Sequence, residues 1–276
     1  MLSFAVPLIP HALSGWVLNF ADRILLRTLL PGTSKEVLGQ IGVYSYGYSI
    51  GMIMNLLVHA TQKSWPQFVF SSHAELEESQ AKRLFSRTSS YYLVFLCAAA
   101  LVVAVFAPEI LALVAGGKYQ AAGPVVPIIS MAYLFLGLYT VVGVGIGIKK
   151  KSKYYFIATG TGAAANVAVN LVLIPRFGIL GAAFATVLAY IVMSIVIYIV
   201  SQRIYHVAYE QVRVAVAFVL AVAVFGLATF IHASLATTLA LKVALMAVYL
   251  ASLVVTGVIK RREIAKVRDL IFKGAT

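Results

Sequence analysis

Acidic residues are scarce. Nine of the 276 positions are Asp or Glu, against 22 Lys or Arg, and charged residues of both signs make up 11% of the chain. Soluble domains carry about 25% charged and about 45–50% apolar residues. Here hydrophobic residues reach 62% and mean hydropathy is +0.95, which excludes a soluble globular domain and a disordered chain. A single cysteine, Cys97, allows no internal disulfide and excludes a secreted disulfide scaffold. Within its apolar run it reads as a small hydrophobe. HExxH, CxxC, Walker and GxSxG motifs are also missing, and the five histidines are scattered without metal-ligand spacing. No catalytic residue, metal site or nucleotide site is therefore expected, and the protein is not read as an enzyme. The +13 charge does not suggest a nucleic-acid partner, because the basic residues lie between long apolar runs, where they act as topology signals.

What is present is a series of apolar segments. Eight are long enough to cross a bilayer, which takes roughly 20 helical residues: 3–21, 42–63, 89–107, 124–148, 154–173, 179–200, 213–232 and 238–259. They are too long for barrel strands and do not alternate, so the expected fold class is an all-α integral membrane protein with eight transmembrane helices. The first helix is allowed to run on to Leu30, before Pro31-Gly32. Lys and Arg set the orientation: sixteen lie on the side that holds the N-terminus and six on the other. That excess puts both termini in the cytoplasm. Met1 is followed by Leu-Ser-Phe-Ala-Val-Pro with no basic region, so no signal peptide is read and the chain is taken to begin inside its first helix. Three regions are expected: a six-helix bundle over 1–200, two peripheral helices over 201–259, and a basic amphipathic tail over 260–276 on the inner leaflet.

Two spans carry polar stripes. In the second, Tyr44, Tyr48, Gly51, Asn55, His59 and Gln62 recur at spacings of three and four, which places them within about 80° of arc. In the fifth, Tyr155, Thr159, Gly162, Asn166 and Asn170 do the same. A polar face in hydrocarbon must meet protein or water. It can be glue between helices, or it can line a hydrated cavity for a polar substrate. Asp22, Arg23 and Arg27 are placed near the outer interface. Arg23 and Arg27 share a face and are candidates for an anion site, since guanidinium matches phosphate in a bidentate way; snorkelling or a structural ion pair is the alternative. All nine acids are read as lying in loops, at interfaces or in the tail. Ser72-His73-Ala74-Glu75 reads as a capping box opening a connector helix, with Glu78 and Lys82 paired at i,i+4. Lys149, Lys150, Lys151 and Lys153 form a tight basic turn, either a topology anchor or an attractor of anionic headgroups.

Several motifs resemble a known family. Asp22-Arg23-Ile24-Leu25-Leu26, then Gly39-Gln40-Ile41-Gly42-Val43-Tyr44, is similar to the start of the second lobe of bacterial polysaccharide flippases. Asn166 and Asn170 followed by Leu173-Ile174-Pro175-Arg176-Phe177-Gly178-Ile179-Leu180-Gly181-Ala182-Ala183-Phe184-Ala185-Thr186 resembles their most specific stretch, and Val126-Pro127-Ile128-Ile129 also fits. The chain thus resembles the C-terminal lobe of an O-antigen or polysaccharide (lipid-linked oligosaccharide) flippase, within the multidrug/oligosaccharidyl-lipid/polysaccharide exporter superfamily. The pattern makes mechanical sense: Pro175 is expected to end the fifth helix, Gly178 to permit a reversal, and Gly181, Ala182, Ala185 and Ala189 to form a small-residue packing face.

The resemblance implies an undecaprenyl-pyrophosphate-linked oligosaccharide as substrate, moved by alternating access in the bacterial cytoplasmic (inner) membrane. It implies membrane lipids as partners, and either a first lobe absent from this chain or a second half-transporter. Arg23, in the matching Asp-Arg motif, is the basic residue it carries over to the substrate. No cofactor is expected, and H+ or Na+ coupling is left open. Three other readings compete: a multidrug or cation antiporter of the same superfamily, which would want a membrane-embedded carboxylate; a membrane glycosyltransferase or polymerase; and a truncated remnant that does not transport.

Overall fold

The computed structural model describes residues 8–115, 119–231 and 234–260, and the described residues are helical, with no strand among them. In chain order the helices are α1 (Leu8–Leu29), α2 (Ser34–Gly51), α3 (Met54–Glu75), α4 (Glu78–Val105), α5 (Ala107–Ala115), a 3-10 turn at Gln120–Ala122, α6 (Val125–Val142), α7 (Val144–Ile148), α8 (Lys153–Ile204), α9 (Gln211–Ala228) and α10 (Leu235–Val255). The chain divides into two compact units, residues 1–209 and 210–276.

Among the described residues, five helices could cross a membrane by length and composition, or six if the bent pair α2–α3 is one span. That is fewer than the eight expected, for two physical reasons. Helix α1 carries Asp22, Arg23 and Arg27 within its length and is not among the five. Helix α8 is a single element in that tally, although its 52 residues include Gly178 in a non-helical conformation, φ 57°, ψ −134°. A positive φ is accessible to glycine at little cost, and here it folds the chain back on itself. A Cβ on Gly181 would lie 2.3 Å from the carbonyl oxygen of Leu173, eight residues earlier, and one on Gly162 would lie 3.2 Å from the carbonyl oxygen of Ala189. In a straight helix, 27 residues would span about 40 Å. Helix α8 is therefore a hairpin with arms 153–177 and 179–204. Pro175 stays helical and the break falls at Gly178, while Ala182, Ala185 and Ala189 are fully buried between the arms and their neighbours.

The expected second span is broken. α2 and α3 meet at an angle of 50°, and the amides of Ile53, Asn55 and Leu56 reach back three residues instead of four. The fourth span breaks at Gly143 between α6 and α7. Within unit 1, α8 packs along α1 and α6, and α6 also packs on α2, α3 and α4. The capping box is not at Ser72–Glu75, which closes α3; α4 starts from Glu77 with no side-chain cap. It lies instead at Thr33–Glu36, opening α2. The Glu78–Lys82 pair forms at 2.7 Å.

In unit 2, α9 and α10 pack on each other, and the Tyr249 hydroxyl donates to the Ala217 carbonyl at 3.3 Å. Arg213 bridges Glu210 at 2.8 Å and donates to the Val258 carbonyl. Apolar side chains such as Val212, Val219 and Val243 are exposed, as suits helices facing lipid. The tail beyond Lys260 lies outside the described residues.

Candidate functional site

Asp22 faces inward from α1. It is fully buried, as are Leu18 and Leu26 one turn to either side, so positions 18, 22 and 26 form the packed stripe. Arg27 is exposed and Arg23 half-buried. The reading of all nine acids as loop, interface or tail residues is thus overturned at Asp22, which is an interior residue of the bundle.

Four side chains donate to the Asp22 carboxylate. Asn170 Nδ2 (2.8 Å) and Asn166 Nδ2 (3.1 Å) reach Oδ1; the Tyr44 and Thr186 hydroxyls, both at 2.7 Å, reach Oδ2. They come from α2 and from both arms of α8. The hairpin makes this convergence possible: Asn166 and Asn170 are one turn apart on the first arm, Thr186 is on the second, and Gly178 turns one arm back onto the other. All four donors are buried. Burying a carboxylate without compensation is costly, and this ring of donors supplies the compensation. Asn170 Nδ2 also lies 3.1 Å from Asn166 Oδ1, and the Thr186 hydroxyl lies 3.2 Å from the Ala182 carbonyl. Asn170 Oδ1 is buried with no hydrogen-bond partner. Carboxylate, amide and hydroxyl groups thus meet around Asp22, with the Ala182 carbonyl bonded to the Thr186 hydroxyl.

Arg23 lies alongside on α1. Its Nε donates to Ser45 Oγ at 3.2 Å, and its guanidinium sits over the Tyr48 ring at 4.9 Å and the Tyr44 ring at 6.0 Å. Cation–π contacts of this kind are worth about 0.5–2 kcal/mol. The hydroxyls of Tyr48 and Tyr133 meet at 3.3 Å, and the Tyr133 ring packs near Tyr190 at 6.1 Å.

The other stripe residues scatter. Gly51 packs on Ile129. Asn55 is half-buried and its Oδ1 lacks a partner. His59 is exposed. Gln62 donates to Thr140 Oγ1 at 3.4 Å. On α8, the Tyr155 hydroxyl donates to the Gly143 carbonyl at 3.2 Å, Thr159 bonds back to the Tyr155 carbonyl at 2.9 Å, and Gly162 packs against Ala189 and Met193. The structure thus brings Tyr44, Asn166 and Asn170 together around Asp22, with Arg23 and Tyr48 adjacent. Asn55, His59, Gln62, Tyr155 and Thr159 lie elsewhere. Lys149, Lys150, Lys151 and Lys153 are all exposed at the turn between α7 and α8, where Lys150 takes φ 51°.

Sequence reasoning missed Asp22 as the hub and Thr186 as a donor. A signal for Asp22 existed in its four-residue spacing from Leu18 and Leu26.

No family model matches the chain. Over 131 residues it is 28% identical to an uncharacterized membrane protein of Methanocaldococcus jannaschii, a match covering 46% of this chain and 26% of that protein. Among solved structures it is similar to the lipid II flippase MurJ in an inward closed conformation, with a TM-score of 0.55 and 13% identity over 76% of this chain. That likeness shows a MurJ-like helical membrane fold, and the chain spans about half the length of that flippase, 49%.

Proposed function

We propose that the chain is one lobe of a membrane transporter that moves a lipid-linked saccharide precursor by alternating access, with a small monovalent cation bound at Asp22 as the coupling ion. The observation that carries the reading is the buried Asp22 carboxylate, ringed by neutral oxygen- and nitrogen-bearing side chains from α2 and both arms of α8. An ionisable residue inside a membrane bundle marks an ion path more often than a structural device. The unpartnered Asn170 Oδ1 fits a cation. With the Asp22 oxygens, the Thr186 hydroxyl and the Ala182 carbonyl, it supplies hard oxygen donors of the kind such ions take. Binding the ion would draw the carboxylate away from its four donors and loosen the grip of α8 on α1, which is the differential interaction that an ion-driven change of state requires.

The MurJ-like fold and the flippase-like motifs support the finer parts of the reading. The substrate would be an undecaprenyl-pyrophosphate-linked oligosaccharide in the bacterial inner membrane, handled together with a second lobe that this chain does not supply. Eight spans would result if α1 and each arm of α8 cross separately and α2–α3 cross as one. Both termini would lie on the cytoplasmic side with the basic loops. Arg23 and Arg27 would meet the pyrophosphate, the stripe residues would border the substrate's path, and Lys149, Lys150, Lys151 and Lys153 would hold anionic headgroups. Asp22 also favours a second reading, a cation-coupled drug antiporter of the same superfamily, because it supplies the embedded carboxylate such a site wants.

The test is ion-specific stabilisation of the purified chain. Tm is measured in NaCl, KCl and choline chloride at equal ionic strength, and across pH, for the native chain and Asp22→Asn. A rise specific to one cation or to pH, lost in Asp22→Asn, is expected. Equal Tm in every salt and at every pH removes the coupling ion. Undecaprenyl-pyrophosphate oligosaccharide and tetraphenylphosphonium are then added in separate arms; a shift with the first alone supports the flippase, and with the second alone the antiporter.

A further inference from the structure

The Asp22 cluster uses its polar atoms on one another, apart from Asn170 Oδ1. A second set of buried polar atoms in unit 1 does not. Trp65 Nε1 on α3 and Ser89 Oγ on α4 are shielded from solvent and have no hydrogen-bond partner, and Tyr92 Oη on α4 is shielded with the Thr61 side chain beside it. Trp65 is 8% exposed and Ser89 1%.

The helix register gathers them. Phe68 meets Phe85 edge-on at 6.2 Å, and Thr61 faces Tyr92. α3 and α4 therefore run antiparallel, in a register that sets Trp65 level with Ser89. Ser89 and Tyr92, three apart, share a face of α4. From α6, Gly137 makes room for the Tyr92 hydroxyl, since a Cβ there would lie 3.2 Å from it. The Gln62–Thr140 hydrogen bond closes the third side at the same level. Farther along α3 toward Asp22, Asn55 Oδ1 is again buried and unpartnered. Beyond it, the paired Tyr48 and Tyr133 hydroxyls lead to Tyr44 and the carboxylate.

Buried donors and acceptors that the protein does not satisfy are satisfied by water where the site is polar. Inside a membrane bundle such backbone and side-chain groups persist only against protein or a water-filled path. We propose that the seam where α3, α4 and α6 meet holds a file of ordered water, and that it is the aqueous inlet by which a small monovalent cation reaches Asp22. The seam side chains are neutral, which suits passage of a hydrated cation and leaves retention to the carboxylate. The hydration stands on the unpartnered atoms alone; the role as inlet rests on the ion-coupling reading above.

The test uses the full chain in membranes. Cys97 lies on the same helix two turns beyond Ser89, 1% exposed among apolar neighbours, and serves as a dry control. Ser89→Cys in a Cys97→Ala background is expected to react with a small water-soluble methanethiosulfonate at least tenfold faster than Cys97 does in the native chain. Reaction no faster than Cys97 overturns the hydrated seam. If Ser89→Cys does not fold, Ser89→Ala decides: an unchanged or lower Tm supports a hydrated hydroxyl, and a raised Tm means a dry, unsatisfied one. For the inlet, 22Na+ exchange is followed in chain-bearing nanodiscs. Ser89→Leu is expected to slow exchange at least tenfold while leaving the amount bound unchanged, and Asp22→Asn to abolish binding. Exchange as fast in Ser89→Leu as in the native chain places the inlet elsewhere. Absence of binding to the native chain overturns the ion-coupling reading and the inlet with it, while thiol reactivity still judges the water.

Discussion

The polar face of α8, from Tyr155 to Asn170, and that of α2 and α3, from Tyr44 to Gln62, have the same helical spacing and end in different environments. At the far end of the α8 face, both amides close on a carboxylate at 2.8 and 3.1 Å. On α3, the Gln62 amide makes one long bond of 3.4 Å, Asn55 Oδ1 has no partner, and His59 is exposed. Residue type does not explain the difference, since each face carries two amides, Asn166 and Asn170 on one and Asn55 and Gln62 on the other. The opposing helix does. α1 offers Asp22 to the amides of the α8 face and, on the other face, only to Tyr44 at its near end, while the Gln62 amide meets only Thr140 of α6. A polar stripe is thus an unfilled set of bonds until a neighbour answers it. Where the answer is a charge the helices are fastened, and where it is a lone hydroxyl the face stays loosely held.

This contrast can be broken most severely at its hub. Asp22→Ala strands four donors, and removing one partner of a buried charged network costs about 3–5 kcal/mol. Unfolding of the chain in detergent should show a loss of that size or no folded protein, and a cost equal to that of Asn55→Ala would make the two faces equivalent. Next is Gly181→Ala, whose new methyl would fall 2.3 Å from the Leu173 carbonyl oxygen. Overpacking of this kind costs about 1–3 kcal/mol, and because it pries the arms apart, combining it with Thr186→Val should give less than the sum of the single costs. Asn170→Ala should cost about 1–3 kcal/mol, with a coupling to Asp22→Asn above about 0.5 kcal/mol in a double-mutant cycle. At the small end, Asn55→Leu and Gln62→Leu should each change stability by less than about 1 kcal/mol. A larger cost at either would show that the α3 face is fastened too.

Much of this architecture was legible along the chain, because helices, the reversal at Gly178 and the small face of Gly181, Ala182, Ala185 and Ala189 are local properties. Asn166 and Asn170 also stood out, since amides one turn apart in an apolar helix demand a partner. The partner itself could not be read. Asp22 and its α8 donors are separated by 144 to 164 residues, and its charged neighbours Arg23 and Arg27 made the whole group read as an interface cluster. The helix rotates Arg27 out and Asp22 in, and only the register of α1 against α8 reveals which face is which. The break between α2 and α3 was illegible for another reason: no proline marks it, and Gly51 was counted as part of the polar face. That glycine is instead pressed against Ile129.

The separation of Asp22 from its donors also bears on biogenesis. α1 leaves the ribosome before α8, and Thr186 follows Asp22 by 164 residues. At about 5–20 residues per second, the carboxylate waits roughly 10–30 s for a full set of partners. An aspartate at the centre of a nascent helix costs about 2.5–3.5 kcal/mol on insertion. α1 is therefore a poor independent membrane anchor during synthesis, and it is retained by the hairpin that arrives later.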